Sequence, residues 1–239
     1  SYLMTHFDHI DDYDAEISPH MRDHFMARKI GHMLALARAR FGDRSLSFLD
    51  AGCGTGHHAR ALRDAGYEAT GIDDSERQIV RARENDPHSR FVCGSMLSLP
   101  FPDGAFDVSY AINSLHHLDS RAAQDAAVRE LFRVTKPGGL VIVHEMNTRN
   151  PLIRFYLTSV FPRLKPIDTG AELWILPSHW QERYGAACGA ASYFTFTPDF
   201  APRILLPLFV ALERILERTP LRIWSAHYAV TIGSPKASA

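Results

Sequence analysis

The chain is expected to fold as a doubly wound α/β domain, on three observations. With 239 residues, 46% of them hydrophobic, it can close a single core and still spare length for a lid or insertion. From Leu46 onward short apolar runs alternate with segments of helical periodicity, the pattern of a parallel sheet covered by helices. Directly after the first apolar run come Gly52, Gly54 and Gly56, where such a sheet turns into its first helix.

Residues 1–45 read as an acidic start and then a helical cap, with Ser18 as N-cap and Pro19 at the first helical position. Phe25, Ile30, Met33, Leu34 and Ala37 give that helix an apolar face. A strand over 47–50 leads through the glycine loop to a helix that runs past Leu62 and ends at Gly66. A second strand over 68–73 precedes a helix whose Ser75 and Gln78 have capping-box spacing. The third strand spans 90–93, and Pro102-Asp103-Gly104 turns the chain into a fourth over 106–111. A helix over 120–134 is expected to stop at Lys136-Pro137-Gly138-Gly139, before a fifth strand over 140–144. Past Glu145 the sequence becomes aromatic and proline-punctuated, with strands expected over 192–197 and 226–232 and a helix over 207–217 between them.

Composition removes several classes. Lys plus Arg number 26 against 27 Asp plus Glu, with no block of like charge, so no nucleic-acid partner is expected. Cys53, Cys93 and Cys188 are far apart, which fits a cytoplasmic protein and neither zinc nor a disulfide framework. Residues 1–14 lack the charged and apolar regions of a secretory signal. The apolar stretch 204–216 is broken by Pro207, Glu213 and Arg214, well short of a transmembrane span. His20 and His24 share an HxxxH spacing but have no obvious third ligand, so no metal site is expected.

Asp50, at the end of the first strand, bears on the ligand of the glycine loop. Its carboxylate would repel a pyrophosphate but attract the ammonium and sulfonium charges of S-adenosylmethionine. A dinucleotide motif begun at Gly52 would need glycine where His57 stands, although Gly54, Gly56 and Ala59 still meet the looser form. Asp73, ending the second strand, could accept ribose hydroxyls of either cofactor.

The whole constellation comprises Leu49-Asp50-Ala51-Gly52-Cys53-Gly54-Thr55-Gly56, Gly71-Ile72-Asp73, Leu99-Pro100-Phe101-Pro102-Asp103-Gly104-Ala105-Phe106-Asp107 and Phe132-Arg133-Val134-Thr135-Lys136-Pro137-Gly138-Gly139. Together these closely resemble the class I methyltransferases, in particular the branch with ubiquinone and menaquinone biosynthesis and natural-product tailoring enzymes. The resemblance is strong over about residues 45–145 and weak elsewhere. It implies a seven-stranded, mostly parallel sheet of order 3-2-1-4-5-7-6 with the last strand antiparallel. It further implies S-adenosylmethionine as cofactor, with Asp50, Gly52, Gly54 and Gly56 at the methionine end and Asp73 at the ribose. Asp74 and Met96 would flank the adenine, and Asn113 would line the floor. Where the family commonly has an acid for the adenine amino group this chain has Ser95, whose hydroxyl can still accept that bond. The division expected within one domain is a cap over 1–45, folded across the cofactor, a cofactor-binding core over 46–145 and acceptor-binding and C-terminal strands over 146–239.

The acceptor class follows by exclusion. No Asn-Pro-Pro-Tyr or Asp-Pro-Pro-Tyr motif and no Pro-Cys follow the fourth strand, and no basic groove is visible, so a small molecule is expected. Trp174, Trp180, Phe194 and Phe196 read either as core or as an apolar acceptor pocket, core being favoured. Leu208, Ala211, Leu212 and Ile215 share one helix face, for which core packing is favoured over a membrane or partner contact; a homodimer is left open. Leu115-His116-His117-Leu118 follows the fourth strand and Glu145 ends the fifth, so a histidine general base supported by an acid fits O-methylation. The choice of His116 rests on resemblance to natural-product sugar O-methyltransferases that use the first histidine of such a pair. Carbon or nitrogen methylation, and a catalytically silent binding subunit, are the alternatives; intact Asp50, loop glycines and Asp73 count against the last.

Overall fold

A computed structural model describes residues 17–164 and 172–233. The strands are β1 (Ser47–Ala51), β2 (Glu68–Asp73), β3 (Arg90–Cys93), β4 (Phe106–Ile112), β5 (Thr135–Met146), β6 (Ser192–Phe194) and β7 (His227–Gly233). They form one sheet in the order β3-β2-β1-β4-β5-β7-β6. β1 to β5 pair in parallel, and β7 runs antiparallel to both β5 and β6. The expected fold class is therefore the observed one.

Side-chain alternation along the central strands separates two apolar layers, as it must where both sheet faces are covered. Phe48, Val108, Tyr110 and Ile142 face α1 (Pro19–Phe41) and α2 (His57–Asp64), meeting Met33, Leu34, Ala37 and Leu62. Leu49, Ala111, Val141 and Val143 face the other way, onto Ala127, Val128 and Leu131 of α4 (Arg121–Val134) and Trp180 of α7 (Pro177–Tyr184). Between α2 and β3, α3 (Glu76–Asn85) packs Ile79 and Ala82 against Phe91. The α3 start is capped as expected, Ser75 accepting from the Gln78 N–H, and α4 is capped in the same way by Ser120, which accepts from the Ala123 N–H.

Some boundaries differ from expectation, each for a local reason. The Ser18 side chain makes no cap bond, and its carbonyl instead accepts the Met21 and Arg22 amides. α4 ends at Val134 as expected, but β5 begins at once, at Thr135 and not at Leu140, because Thr135 already pairs with Phe106 and a register shift between Phe106 and Val108 absorbs the irregularity. β6 ends at Phe194 because Thr195 lies at φ 66, outside the strand region. Residues 151–164, to which no element is assigned from sequence, form α5 (Pro151–Phe155), a π-helical turn (Tyr156–Val160) and α6 (Phe161–Leu164).

The C-terminal helix α8 (Leu206–Leu216) is the largest departure. Its apolar face was expected in the core, yet Leu208 is 67% and Ile215 61% exposed while Glu213 is 1% exposed. Glu213 is drawn inward because it accepts the Phe196 and Thr197 amides that β6 leaves unpaired where it breaks off, and it pairs with His24 of α1. The helix is therefore rotated by its hydrogen bonds against its hydrophobic pattern.

Candidate functional site

At the carboxyl ends of β1, β2 and β4 lies a cavity of about 400 Å3. This is where a parallel sheet directs backbone N–H groups and helix N-termini at a ligand. Gly52, Gly54, Asp73, Asp74, Ser95, Met96 and Asn113 all line it. The loop glycines serve different ends. Gly52 sits at φ 79, and a Cβ there would come within 2.5 Å of the Ser114 Cβ. Gly54 sits at φ 51 with nothing within 4 Å, so its bare backbone borders open space. Gly56 does not line the cavity; a Cβ on it would strike the Phe91 ring at 2.6 Å, which makes it a packing glycine at the start of α2.

Asp73 braces the loop: its carboxylate accepts the Gly54 amide at 2.8 Å and the Ser75 amide at 3.0 Å. Asp50 is the more informative acid. It is 1% exposed, and neither of its oxygens has a well-formed hydrogen bond. Burial pushes its carboxyl up to about 7, with the Tyr110 hydroxyl opposing that rise and the Asp73 charge adding to it. A buried carboxylate so weakly partnered is costly, and although Asp50 does not itself line the cavity, as Gly52, Cys53 and Gly54 just after it do, a cationic ligand there would relieve it. Ser95 turns its hydroxyl to the Leu97 amide at 3.1 Å, on the rim of the same cavity. Asn113 lines the cavity in a left-handed conformation, φ 50, with its backbone N–H donating to the His144 carbonyl.

The cavity roof was not fully legible in sequence. Arg22, Phe25, Met26 and Lys29 of α1 line it, and their i, i+3, i+4, i+7 spacing is the stripe that could have been recognised beside the apolar one. Burial lowers the Lys29 ammonium to about 8, although Glu145 draws it the other way. Beneath α1, His144 and His227 are held neutral by burial and pack with Phe194. His20 and His24 go separate ways, to the Ala201 carbonyl and to Glu213, and no cluster of three metal-ligating side chains occurs among the described residues. Trp180 and Phe194 are core, whereas Trp174 and Phe196 are half-buried.

β4 and β5 bring His116 and Glu145 together as the sequence suggested. The His116 Nδ1 lies 2.6 Å from Glu145 Oε2, and Glu145 Oε1 accepts the Leu115 amide at 3.0 Å. Trp174 stacks on the His116 ring with centroids 4.3 Å apart, leaving His116 only 3% exposed. Of the pair it is His117 that lines the cavity, alongside His57 and His58, and its ring centroid is 4.0 Å from that of His116.

Residues 49–143 match the family described as "Methyltransferase domain". Over those residues the chain is similar to methyltransferase domains. It is 39% identical over 106 residues to the 2-methyl-6-phytyl-1,4-hydroquinone methyltransferase of Synechocystis, covering 43% of this chain and 32% of that one. It is 38% identical over 107 residues to the 27-O-demethylrifamycin SV methyltransferase of Amycolatopsis mediterranei, covering 42% of this chain and 37% of that one. The chain thus spans about a third of the length of these curated relatives. Over nearly its full length, 95%, it superposes on the PH0226 protein of Pyrococcus horikoshii with a TM-score of 0.60 and 20% identity, covering 97% of that chain. Asp50, the three loop glycines and Asp73 all fall inside the matched residues, and so does His116; Glu145 lies just past their end.

Proposed function

We propose that this protein transfers the methyl group of S-adenosylmethionine to a hydroxyl of a small apolar or aromatic metabolite. The observation that carries the reading is the buried carboxylate of Asp50 at the back of the glycine loop, which has no well-formed hydrogen bond and only the Tyr110 hydroxyl to oppose its burial. In the bound state S-adenosylmethionine would supply an electrophilic methyl group on a positively charged sulfur. Asp50, with the Gly52 and Gly54 backbone, would hold the methionine end, and Asp73, which also accepts the Gly54 and Ser75 amides, would accept the ribose hydroxyls. Asp74 and Met96 would flank the adenine, with Ser95 at its amino group and Asn113 at the floor. Phe25 and Met26 would exclude water from the acceptor side.

A hydroxyl becomes an effective nucleophile as its proton leaves. With Nδ1 donating to Glu145, the His116 ring keeps the tautomer whose Nε2 can take that proton, and the carboxylate stabilises the resulting imidazolium. The position of His117 on the cavity wall favours a second reading, in which His117 takes the proton and the His116–Glu145 pair positions it. Calorimetric titration with S-adenosylmethionine and S-adenosylhomocysteine, followed by a labelled-methyl screen over small hydroxyl-bearing metabolites, tests the proposal. Cofactor binding without transfer to any member of such a library would favour a silent binding subunit. With an acceptor in hand, His116→Ala should lower turnover about 10²–10⁴-fold at nearly unchanged cofactor affinity. Should His117→Ala alone show that loss, the second reading replaces the first.

A further inference from the structure

Among the described residues, α8 and the turns that flank it, Arg203–Leu205 and Pro220–Trp224, present apolar side chains to solvent on an outward face. Ile204 is 87% exposed, and Leu208, Leu212, Ile215, Leu221 and Trp224 are exposed with it. Isolated surface leucines are ordinary, but a helix that buries its glutamate and shows its leucines is not.

The charges of this region are sorted as well. Between residues 199 and 224 all three acids are engaged by the protein: Asp199 accepts the Tyr156 hydroxyl, Glu213 accepts the Phe196 and Thr197 amides, and Glu217 pairs with Arg28 and accepts the Thr195 amide. All four arginines, Arg203, Arg214, Arg218 and Arg222, are exposed, and none is in an ion pair with another described residue. The result is an apolar face edged by uncompensated positive charge.

We propose that this face docks onto an anionic lipid surface. An amphipathic helix lying in a membrane interface buries its leucines at the acyl boundary while arginines reach lipid phosphates and an aromatic ring sits at headgroup level. A second copy of the chain fits less well, since a two-fold interface would set these arginines against their own equivalents. The face also adjoins the active end of the domain: the Ala201 carbonyl bonds His20 in the first turn of α1, and Arg22 and Phe25 of the same helix line the cofactor cavity. Docking there would place the cavity close to molecules dissolved in the bilayer. No helix of the described residues is long and apolar enough to cross a membrane, so the contact is with one leaflet.

Sedimentation of the full chain with phosphatidylcholine vesicles, with and without phosphatidylglycerol, tests this. Binding should require phosphatidylglycerol and weaken as salt is added. An Arg214→Gln, Arg218→Gln, Arg222→Gln variant should bind these vesicles on the order of 100-fold more weakly. Leu208→Glu with Leu212→Glu should abolish binding. Unchanged affinity for S-adenosylhomocysteine would show that each variant is folded, and if the leucine variant fails that control the arginine variant decides alone. The proposal is overturned by equal binding to both vesicle types, by no binding, or by a concentration-dependent dimer that Leu212→Glu dissolves while vesicles capture nothing.

Discussion

Replacing Asp50 by asparagine should make the ligand-free protein more stable at alkaline pH while weakening its hold on the cofactor. The carboxyl is carried from an ordinary 3.8 up to about 7 by burial, a displacement equivalent to roughly 4 kcal/mol once the group is ionised. The folded state therefore keeps a proton over the interval in which the unfolded chain has lost it, so stability falls as pH rises from about 4 to about 7 and then levels off. Asparagine removes the charge but brings an amide that also lacks partners, which costs back about 1–3 kcal/mol. The net gain above pH 7 should be about 1–3 kcal/mol, a rise in melting temperature of roughly 3–10 °C for a chain of this size. Near pH 4 the two proteins should melt alike or the variant lower. Cofactor binding should move oppositely, since a cation prefers the ionised carboxylate: wild-type affinity for S-adenosylmethionine should climb with pH up to about 7, and the variant should bind about 10²-fold more weakly with little pH dependence. Thermal melts and calorimetric titrations at pH 5 and pH 8 read both quantities. A variant that melts below wild type at pH 8, or binds the cofactor as tightly, would refute the assignment of Asp50 as a buried charge awaiting a cationic ligand.

Two glycine variants should separate packing from ligand access. Gly52→Ala drives a Cβ to 2.5 Å from the Ser114 Cβ at positive φ and should cost about 2–4 kcal/mol in a urea melt. Gly54→Ala points into open space and should cost about 1 kcal/mol of strain, yet lower S-adenosylhomocysteine affinity tenfold or more because the methyl intrudes on the cavity. Asp73→Ala should weaken S-adenosylmethionine binding by about 1–3 kcal/mol in calorimetry and also destabilise the loop, whose Gly54 and Ser75 amides lose their acceptor. For Lys29, whose folded value of about 8 lies below the ordinary 10.5, the unfolded chain holds the proton longer, so ligand-free stability should rise between about pH 8 and 10; Lys29→Met should flatten that rise in pH-dependent melts. At Glu213 burial raises the carboxyl, but His24 and the Thr197 and Phe196 amides hold it down to about 2. Roughly 3 kcal/mol present above pH 4.5 should therefore be lost toward pH 2, and Glu213→Gln should show a shallower acid transition.

Much of the cavity's surroundings is legible in the sequence because it is built from strand ends. Asp50, Gly52, Gly54 and Asp73 lie within or next to short strands whose apolar pattern announces them, and the parallel sheet carries all of them to one edge. The roof was harder, because Arg22, Phe25, Met26 and Lys29 mix polar and apolar types on one stripe, and periodicity counts only apolar ones. Of the cap expected over 1–45, residues 1–16 lie outside the described residues.

Local pattern determined the strand and helix sequence, the glycine loop and the acids beside it, since each depends on neighbours a few residues away. Tertiary structure alone decided which way α8 faces, which of two adjacent histidines meets the cavity, and that Gly56 packs against Phe91. Those outcomes turn on partners distant in sequence. The Phe196 and Thr197 amides pull Glu213 inward, Glu145 and Trp174 hold His116 beneath the surface, and the side chain of β3 fills the space where a Cβ of residue 56 would stand. A hydrogen bond to a buried amide outweighed the hydrophobic pattern of one helix, because an unpaired amide in the core costs about as much as the burial of a leucine gains.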